Sequence, residues 1–334
     1  MIDEPFDIAA QRYRTELFTY CYRMLGSPHD ADDAVQETYL RAWRGYDNFQ
    51  GRAALRTWLY RIATRACLQA IQRRARRAYP SGLGPPVTEP TGPLPPRRAE
   101  IAWVEPVSDS ALDPAEVAAA RHTTRLAFIA ALQHLPGRQR AVLILREVLM
   151  FRADEVADLL GTTTAAVNSA LQRARAHLAK AAPHGYDLTE PDDPRRRILL
   201  DRYATAFARA DVDGLMDILA EDAVLEMPPV PSWFLGREHI GRFLRTRLLD
   251  SDAQRLVPAA ANGQPAFGLY TRGHGGVHRA HALQLLTVGP AGVARIDMIH
   301  DPALFPKVGL PHLAPADPEP NLVPLQEKRT ECIC

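Results

Sequence analysis

Between Ala78 and Arg98 the chain reads AYPSGLGPPVTEPTGPLPPRR, a stretch too dense in proline to continue a helix or join a sheet interior. Each proline lacks a backbone N–H, fixes its own φ and pushes the preceding residue out of the helical region. The stretch therefore reads as an extended linker, and the chain on either side of it must fold separately. A shorter polar break, APHGYDLTEPDDPRRR (Ala182–Arg197), and a proline-rich tail from Gly309 divide the remainder. These breaks predict folded segments at 1–78, 113–181 and 195–308, joined by linkers at 79–112 and 182–194 and followed by a tail at 309–334. Three segments suit a length of 334 residues, because domains commonly span about 50 to 250 residues.

Hydrophobic period assigns a class to each segment. In the first, Leu17, Tyr20, Cys21 and Met24 share one helical stripe, and Ala34, Val35, Thr38, Tyr39 and Ala42 share another. The turn sequence GSPHD separates them, with Asp30 placed to cap the second helix. After YDNFQG a third helix carries Leu55, Trp58, Leu59, Ile62, Ala63, Ala66, Cys67 and Ala70 on one face, and Arg52, Arg56, Arg61 and Arg65 on the other. The second segment opens on Asp113, Pro114 and Glu116, a capping-box pattern that predicts a helix running to Leu135. Further on, ADEVADLLGTTTAAVNSALQRARAHLAK reads as helix, Gly161, Thr163 as cap, and helix. Val156, Leu159 and Leu160 form one inner face, and Val167, Ala170, Leu171, Ala174 and Leu178 the other. That is helix-turn-helix spacing. In the third segment helices at 195–210 and 212–221 precede the strand-like AVLEMP, then a helix near REHIGRFLRTRLL, then AFGLYTR, HRAHALQLLTV and VARIDMIH. Helices followed by strands predict an α+β domain, so the fold class is multidomain: two all-α units and one α+β unit.

A formal net charge of +1 conceals strong local asymmetry. Residues 1–50 hold 5 Arg against 9 Asp and Glu, whereas 52–77 hold 8 Arg and no acid. A second acid-free stretch, Leu159–Tyr186, carries Arg173, Arg175 and Lys180. Separated patches of this kind suit local contact with a polyanion. On the second helix of the helix-turn-helix, Asn168, Ser169, Gln172, Arg173 and Arg175 face outward, with groups able to read base edges or hold phosphates; the alternative is a plain solvated face. In the run from Arg52 to Arg77, Phe49, Trp58 and Tyr60 are interleaved with bases, as stacking surfaces for single strands require. The spacing of Trp58 from Leu55, Leu59 and Ile62 also makes it partly a core residue. The acidic face of Asp32, Asp33 and Glu37 cannot serve DNA, and is either solvated or meets a basic protein.

Cys21 and Cys67 fall inside helical patterns and read as small core hydrophobes, and Cys332 and Cys334 lie at the tail. His274 and His278 flank a glycine-rich turn without a convincing third ligand, so no metal and no cofactor is expected. No apolar run is long enough for a membrane span, and MIDEPFDIAA lacks a signal pattern, which points to the cytoplasm.

The stretch RMLGSPHDADDAVQETYLRAWRGYDNFQGRAALRTWLYRIATRACL resembles conserved region 2 of bacterial sigma factors of the extracytoplasmic-function type, and LQHLPGRQRAVLILREVLMFRADEVADLLGTTTAAVNSALQRARAHL resembles their region 4. The resemblance implies two partners, core RNA polymerase and promoter DNA. The acidic helix, through Asp32, Asp33, Gln36 and Glu37, would dock on the clamp coiled coil of the largest polymerase subunit. Asn48, Phe49, Arg52, Arg56, Trp58, Arg61 and Arg65 would face the −10 promoter element and help to melt it, holding unstacked bases near the loop DNFQGR. Asn168, Ser169, Gln172, Arg173 and Arg175 would enter the major groove at the −35 element. Arg65 and Gln69 stand where family members commonly have Asn and Asp, which leaves the −10 sequence preference unassigned. Trp103, Glu105 and Pro106, in WVEP, resemble a linker element of sigma factors that carry an extra C-terminal domain. The third segment resembles that domain, a SnoaL-like α+β cone. Some SnoaL-like cones are enzymes with an acid or base inside. The acid or base candidates here are Asp297, His281, His300 and Glu226, with Trp233, Phe234 and Arg237 near the mouth, and Trp233, His281 and Asp297 mark the expected cone pocket. Strand alternation would place His281 on one face with Leu283 and Leu285. The resemblance thus implies a non-enzymatic sigma factor regulated in cis by its cone, with a small-molecule ligand of the cone as a further candidate partner. The alternative is an isomerase or hydrolase cone fused to a DNA-binding module.

Overall fold

The computed structural model of the chain describes residues 6–49, 51, 54–73, 76–89, 91–98, 100–113, 123–181, 193–248 and 254–315. Arg52, Pro114, Glu116, Cys332 and Cys334 lie outside the described residues, as do the side chains of Asn48 and His274.

The first segment forms α1 (Phe6–Gln11), α2 (Arg14–Leu25), α3 (Pro28–Gly45) and α4 (Leu55–Arg73). Gly26 ends α2 at φ 71°, where its N–H donates to the Tyr22 carbonyl. A side chain there would be strained, which is why glycine holds the position. The α3 cap is Ser27, whose hydroxyl accepts from the Asp30 N–H, with Pro28 in the first turn. Asp30 itself does not cap. It lies one turn inside the helix, buried, with its carboxylate 2.7 Å from Arg77.

The second segment forms α5 (Leu126–Leu132), α6 (Gly137–Leu143) running into a π-helical turn (Ile144–Val148), α7 (Ala153–Leu160) and α8 (Thr164–Ala181). The single helix expected from Asp113 to Leu135 is not what forms at its described end. At Arg125 the backbone is extended (φ −57°, ψ 142°), and α5 starts only at Leu126. The cause is a long-range contact: the Leu126 N–H, an orphan donor of the first turn, donates to the Gln264 side chain at 2.9 Å. Gly161 at φ 62° closes α7, and the Thr163 hydroxyl caps α8 by accepting from the Ala166 N–H.

The third segment forms α9 (Pro194–Ala208), α10 (Val212–Ile218), β1 (Leu219–Glu226), β2 (Trp233–Leu235), α11 (Arg237–Arg245), β3 (Gln254–Ala261), β4 (Gln264–Arg272), β5 (His278–Gly289) and β6 (Gly292–Ile299). The strands make one sheet in the order β2-β1-β6-β5-β4-β3. Only the β1–β6 pairing is parallel. β3 was not evident in the sequence, although AANGQ held its signal. Asn262 (φ 58°) and Gly263 (φ 66°) form the two-residue turn to β4, the Asn-Gly pattern that favours a tight hairpin. Alternation gives the sheet two buried faces. Phe267, Leu286, Ile296 and Met298 pack under the helices α9–α11. Tyr270, Leu283, Leu285 and Ile299 instead share one core with α2, α4 and the second segment.

The proline-rich stretch is extended, as its composition requires, but it is bound rather than free. Tyr79 and Pro80 are buried, and Ala78 makes a parallel bridge to Trp103. The Val87 N–H donates to the Trp233 carbonyl on the edge strand β2, and the Arg98 N–H to the Pro229 carbonyl. A linker that satisfies an edge strand also removes a site of unwanted strand pairing.

Candidate polymerase and nucleic-acid interfaces

The outer face of α3 carries Asp33 and Gln36, both exposed, with Asp32 and Glu37 beside them. Asp33 lies 4.0 Å from His29 and Asp32 3.7 Å from Arg14, whereas Glu37 accepts a hydrogen bond from Arg41 at 2.6 Å. The face continues into Leu40 (52% exposed) and Trp43 (67% exposed). Neither was singled out from the sequence, although both follow Asp33 and Gln36 at helical spacing. Large exposed apolar groups beside carboxylates suit a protein partner better than bulk water.

At the N-terminal end of α4 an aromatic column forms. Phe6 packs on Tyr46 at 5.1 Å, Tyr46 stacks on Phe49 at 6.3 Å, and Phe49 meets Trp58 at 4.8 Å between ring centroids. A Cβ on Gly45 would stand 3.4 Å from the Trp58 ring, so glycine lets the indole lie against the end of α3. Phe49 and Trp58 are half-buried, Arg61 is half-buried and Arg65 is exposed. Asn48 ends a short 3-10 turn (Tyr46–Asn48) beside this column. Tyr60, expected among the stacking aromatics, is fully buried. It packs edge-on against Phe151 of the second segment at 5.3 Å. The Arg56 guanidinium lies 5.0 Å from both the Tyr60 and Phe151 rings and 3.0 Å from Glu16. The part of α4 around Arg56 and Tyr60 is thus covered by the helix-turn-helix unit.

Asn168, Ser169, Gln172, Arg173 and Arg175 are all exposed along α8, while Val167, Leu171 and Ala174 are buried behind them. Arg173 donates to the Ser169 hydroxyl at 2.6 Å, and Arg175 to Glu147 at 2.5 Å. Amides, hydroxyls and guanidiniums project from one helix face with no carboxylate among them.

The candidate cone site is arranged otherwise than expected. Asp297 falls between Ile296 and Met298, which pack under the helices, so its own side chain points to the opposite face of the sheet. There it is fully buried, with Oδ1 accepting from the Tyr79 hydroxyl at 2.9 Å and from Arg295 Nε at 2.8 Å. Glu226, whose Cα pairs with Trp233 on one side and Asp297 on the other, accepts from Arg295 at 2.5 Å and from the Ser81 N–H at 3.0 Å. Burial pushes the Glu226 carboxyl up, and Arg295 opposes that shift. Trp233 Nε1 donates to the Gly84 carbonyl at 2.9 Å. The linker therefore covers Asp297 and Glu226, two of the candidate acid or base residues. His281 joins neither Asp297 nor Trp233. It is the extra residue of a bulge between Ala280 and Ala282, which breaks the expected alternation with Leu283 and Leu285. Its ring stands 5.2 Å from His300. Burial pushes both imidazoles down, His300 to about 4, with Arg97 adding to each.

Asn262 was missed in the sequence. At the tip of the β3–β4 hairpin it is fully buried. Its Nδ2 donates to the Tyr22 hydroxyl and to the Thr124 carbonyl, each at 2.8 Å, and its Oδ1 accepts from the Val107 N–H at 2.9 Å. One amide thus joins the first segment, the linker and the second segment. Nearby, the Glu105 N–H donates to the Gly26 carbonyl, and the Tyr22 hydroxyl to the Glu105 carbonyl. Arg77 grips the Trp103 carbonyl at 2.7 Å and Glu105 at 2.9 Å, and Pro106 is buried.

Family models match this architecture in order: sigma-70 region 2 over residues 9–77, sigma-70 region 4 over 125–178, and a SnoaL-like domain over 200–296. Among curated relatives, the ECF RNA polymerase sigma factor SigG of Mycobacterium tuberculosis is 46% identical over 312 residues, covering 92% of this chain and 84% of its own. The chain belongs to the ECF RNA polymerase sigma factors. SigJ of the same species is 28% identical over 87% of this chain and 90% of its own length. The crystal structure of SigJ from M. tuberculosis shares the fold, with a TM-score of 0.61 and 24% identity across 91% of this chain and 99% of that one. This sigma factor is thus a subunit that brings RNA polymerase to promoter DNA, built from two helical sigma regions and a SnoaL-like cone. Among its described residues no helix is long and apolar enough to cross a membrane.

Proposed function

We propose that the outer face of α3 is the polymerase contact, with Asp32, Asp33, Gln36 and Glu37 meeting a basic surface and Leu40 and Trp43 extending the patch. Asn48, Phe49, Arg52, Arg56, Trp58, Arg61 and Arg65 serve the −10 element, where the Phe49–Trp58 column is ready to receive an unstacked base. Asn168, Ser169, Gln172, Arg173 and Arg175 read the −35 element from α8. The work takes place in the cytoplasm, where polymerase and promoter are.

The cone acts in cis as a regulator and not as an enzyme. Asn262 carries this reading, because a single side chain bonds Tyr22, Val107 and Thr124. The −10 and −35 elements lie apart along a promoter, so the two sigma regions must separate to reach both. The hairpin holds them together while Phe151 covers Arg56 and Tyr60. The Tyr79 contact with Asp297 supports the same reading, since it occupies the carboxylate on which an isomerase or hydrolase would depend. WVEP contributes by fastening the linker to region 2 through Arg77.

Capture of core RNA polymerase by the full chain tests both halves. Asp33→Arg should abolish capture. Asn262→Gly, which keeps the turn conformation and removes only the amide, should increase it. Equal capture by Asn262→Gly and the unaltered chain would remove the regulatory reading and leave the α3 contact standing.

A further inference from the structure

A cavity of about 350 Å³ lies where region 2 and region 4 meet. Leu25, Ala70, Ile71 and Leu135 give it apolar walls, and Arg76, Arg77, Arg140 and His134 give it cationic and N–H groups. Asp30 is the lining carboxylate, and it is engaged by Arg77, which Glu105 neutralises further. Three guanidiniums against these two carboxylates leave an excess of one positive charge, and both carboxylates are engaged by Arg77 rather than by Arg76 or Arg140.

Arg140 is the unusual member. It is 4% exposed, and the groups that accept from it are all neutral: the Met24, Gln133 and Leu135 carbonyls and the Gln133 side-chain oxygen. Its Nε has no hydrogen-bond partner among the described residues. A buried guanidinium fixed this way keeps its charge without a counter-ion, an arrangement that favours an incoming anion. Burial and Arg76 hold its pKa down to about 10, so it remains charged. Beside it, His134 Nδ1 is 2.5 Å from Arg76. A guanidinium can only donate, so this nitrogen accepts and Nε2 carries the proton. Burial, Arg76 and Arg140 all push the imidazole pKa down, which keeps it neutral.

We infer that this cavity is a binding site for a small organic phosphate, with the phosphoryl oxygens on Arg76 and His134, the uncompensated charge of Arg140 behind them, and an apolar or aromatic body against Leu25, Ile71 and Leu135. The volume lies at the lower end of small-molecule sites, roughly 300 to 1,000 Å³, and a bare ion would leave the apolar walls uncovered. The Arg76 guanidinium and one imidazole N–H suit the oxygens of a phosphoryl group, and Arg140, whose terminal N–H groups are all donated to protein oxygens, contributes its charge. Leu25, Ala70, Ile71 and Arg76 come from region 2 and its C-terminal extension, and His134, Leu135 and Arg140 from region 4. A ligand in the cavity therefore bridges the two and favours their closed arrangement. That last step rests on the proposed in-cis regulation; the site itself does not.

Phenyl phosphate is the probe, titrated calorimetrically into the full-length chain without polymerase, with benzoate and inorganic phosphate in parallel. One saturable site per chain is expected, with phenyl phosphate the tightest of the three. Arg76→Gln should weaken it at least about tenfold, or ~1.4 kcal/mol. Arg76 is exposed, so an unchanged Tm without ligand confirms that this variant is folded; His134→Gln is the second variant. No saturable heat, or binding unaltered in both variants, overturns the site. Benzoate bound as tightly as phenyl phosphate overturns the phosphate assignment. Binding that leaves capture of core polymerase unchanged overturns the bridging role alone.

Discussion

Tyr79 lies within AYPSG, where nothing in the local pattern says that its hydroxyl will meet a carboxylate 218 residues away. Its burial is what the sequence could not disclose. Removing the hydroxyl with Tyr79→Phe leaves the ring in place and takes one donor from Asp297, whose Oδ2 already has no partner among the described residues. Leaving a buried acceptor short costs about 1 to 3 kcal/mol. Thermal unfolding of the full chain should show a lower Tm for this variant, and core polymerase capture should rise with it. Tyr60 carries the converse lesson. Its place among arginines suggested an exposed stacking residue, but Tyr20 of its own segment and Phe151 of the next both pack edge-on against its ring. Asn168, Gln172 and Arg173 were legible because a helix face follows from local period alone, with no partner needed to define it.

At the scale of elements, the helices were the most readable part. Stripes at helical spacing located α2, α3, α4, α7 and α8, and Gly161 with Thr163 marked the turn. The start of α5 was not readable, because Gln264 of the cone supplies the acceptor for its first turn. β3 was also hidden, since QRLVPAAA is half-exposed and lacks clean alternation. On the proposed −35 role of α8, Arg173 is expected at a phosphate and Gln172 at a base edge. Arg173→Ala should weaken promoter binding by the holoenzyme across all sequences and reduce the salt dependence by roughly one charge, whereas Gln172→Ala should alter −35 preference and leave that slope intact. Fluorescence anisotropy on promoter fragments at several salt concentrations separates the two.

Over the whole molecule, one apolar core runs from region 2 through region 4 to the outer face of the cone sheet, so stability reports on closure. Glu226 gives a signed test. Its folded pKa is raised by burial above 4.5. The unfolded chain therefore releases this proton first, and the stability linked to it is present below pH 4.5 and is lost as pH rises through the folded value. Glu226→Gln should remove that loss, so its stability advantage over the unaltered chain should grow as pH rises above 4.5, measured by denaturant unfolding. His300, held down to about 4, acts oppositely. Its contribution is present above about 6.5 and disappears as pH falls toward 4. The hairpin that ends at Asn262 also belongs to the same polypeptide as the regions it joins. An intramolecular contact has an effective concentration set by the connecting chain, in the millimolar range for short flexible links, and dilution does not change it. On the proposed in-cis regulation, each newly made copy therefore arrives with its own restraint at fixed stoichiometry. Raising expression multiplies open and closed forms alike, and only the supply of free polymerase, or a change in the latch itself, shifts the fraction at work.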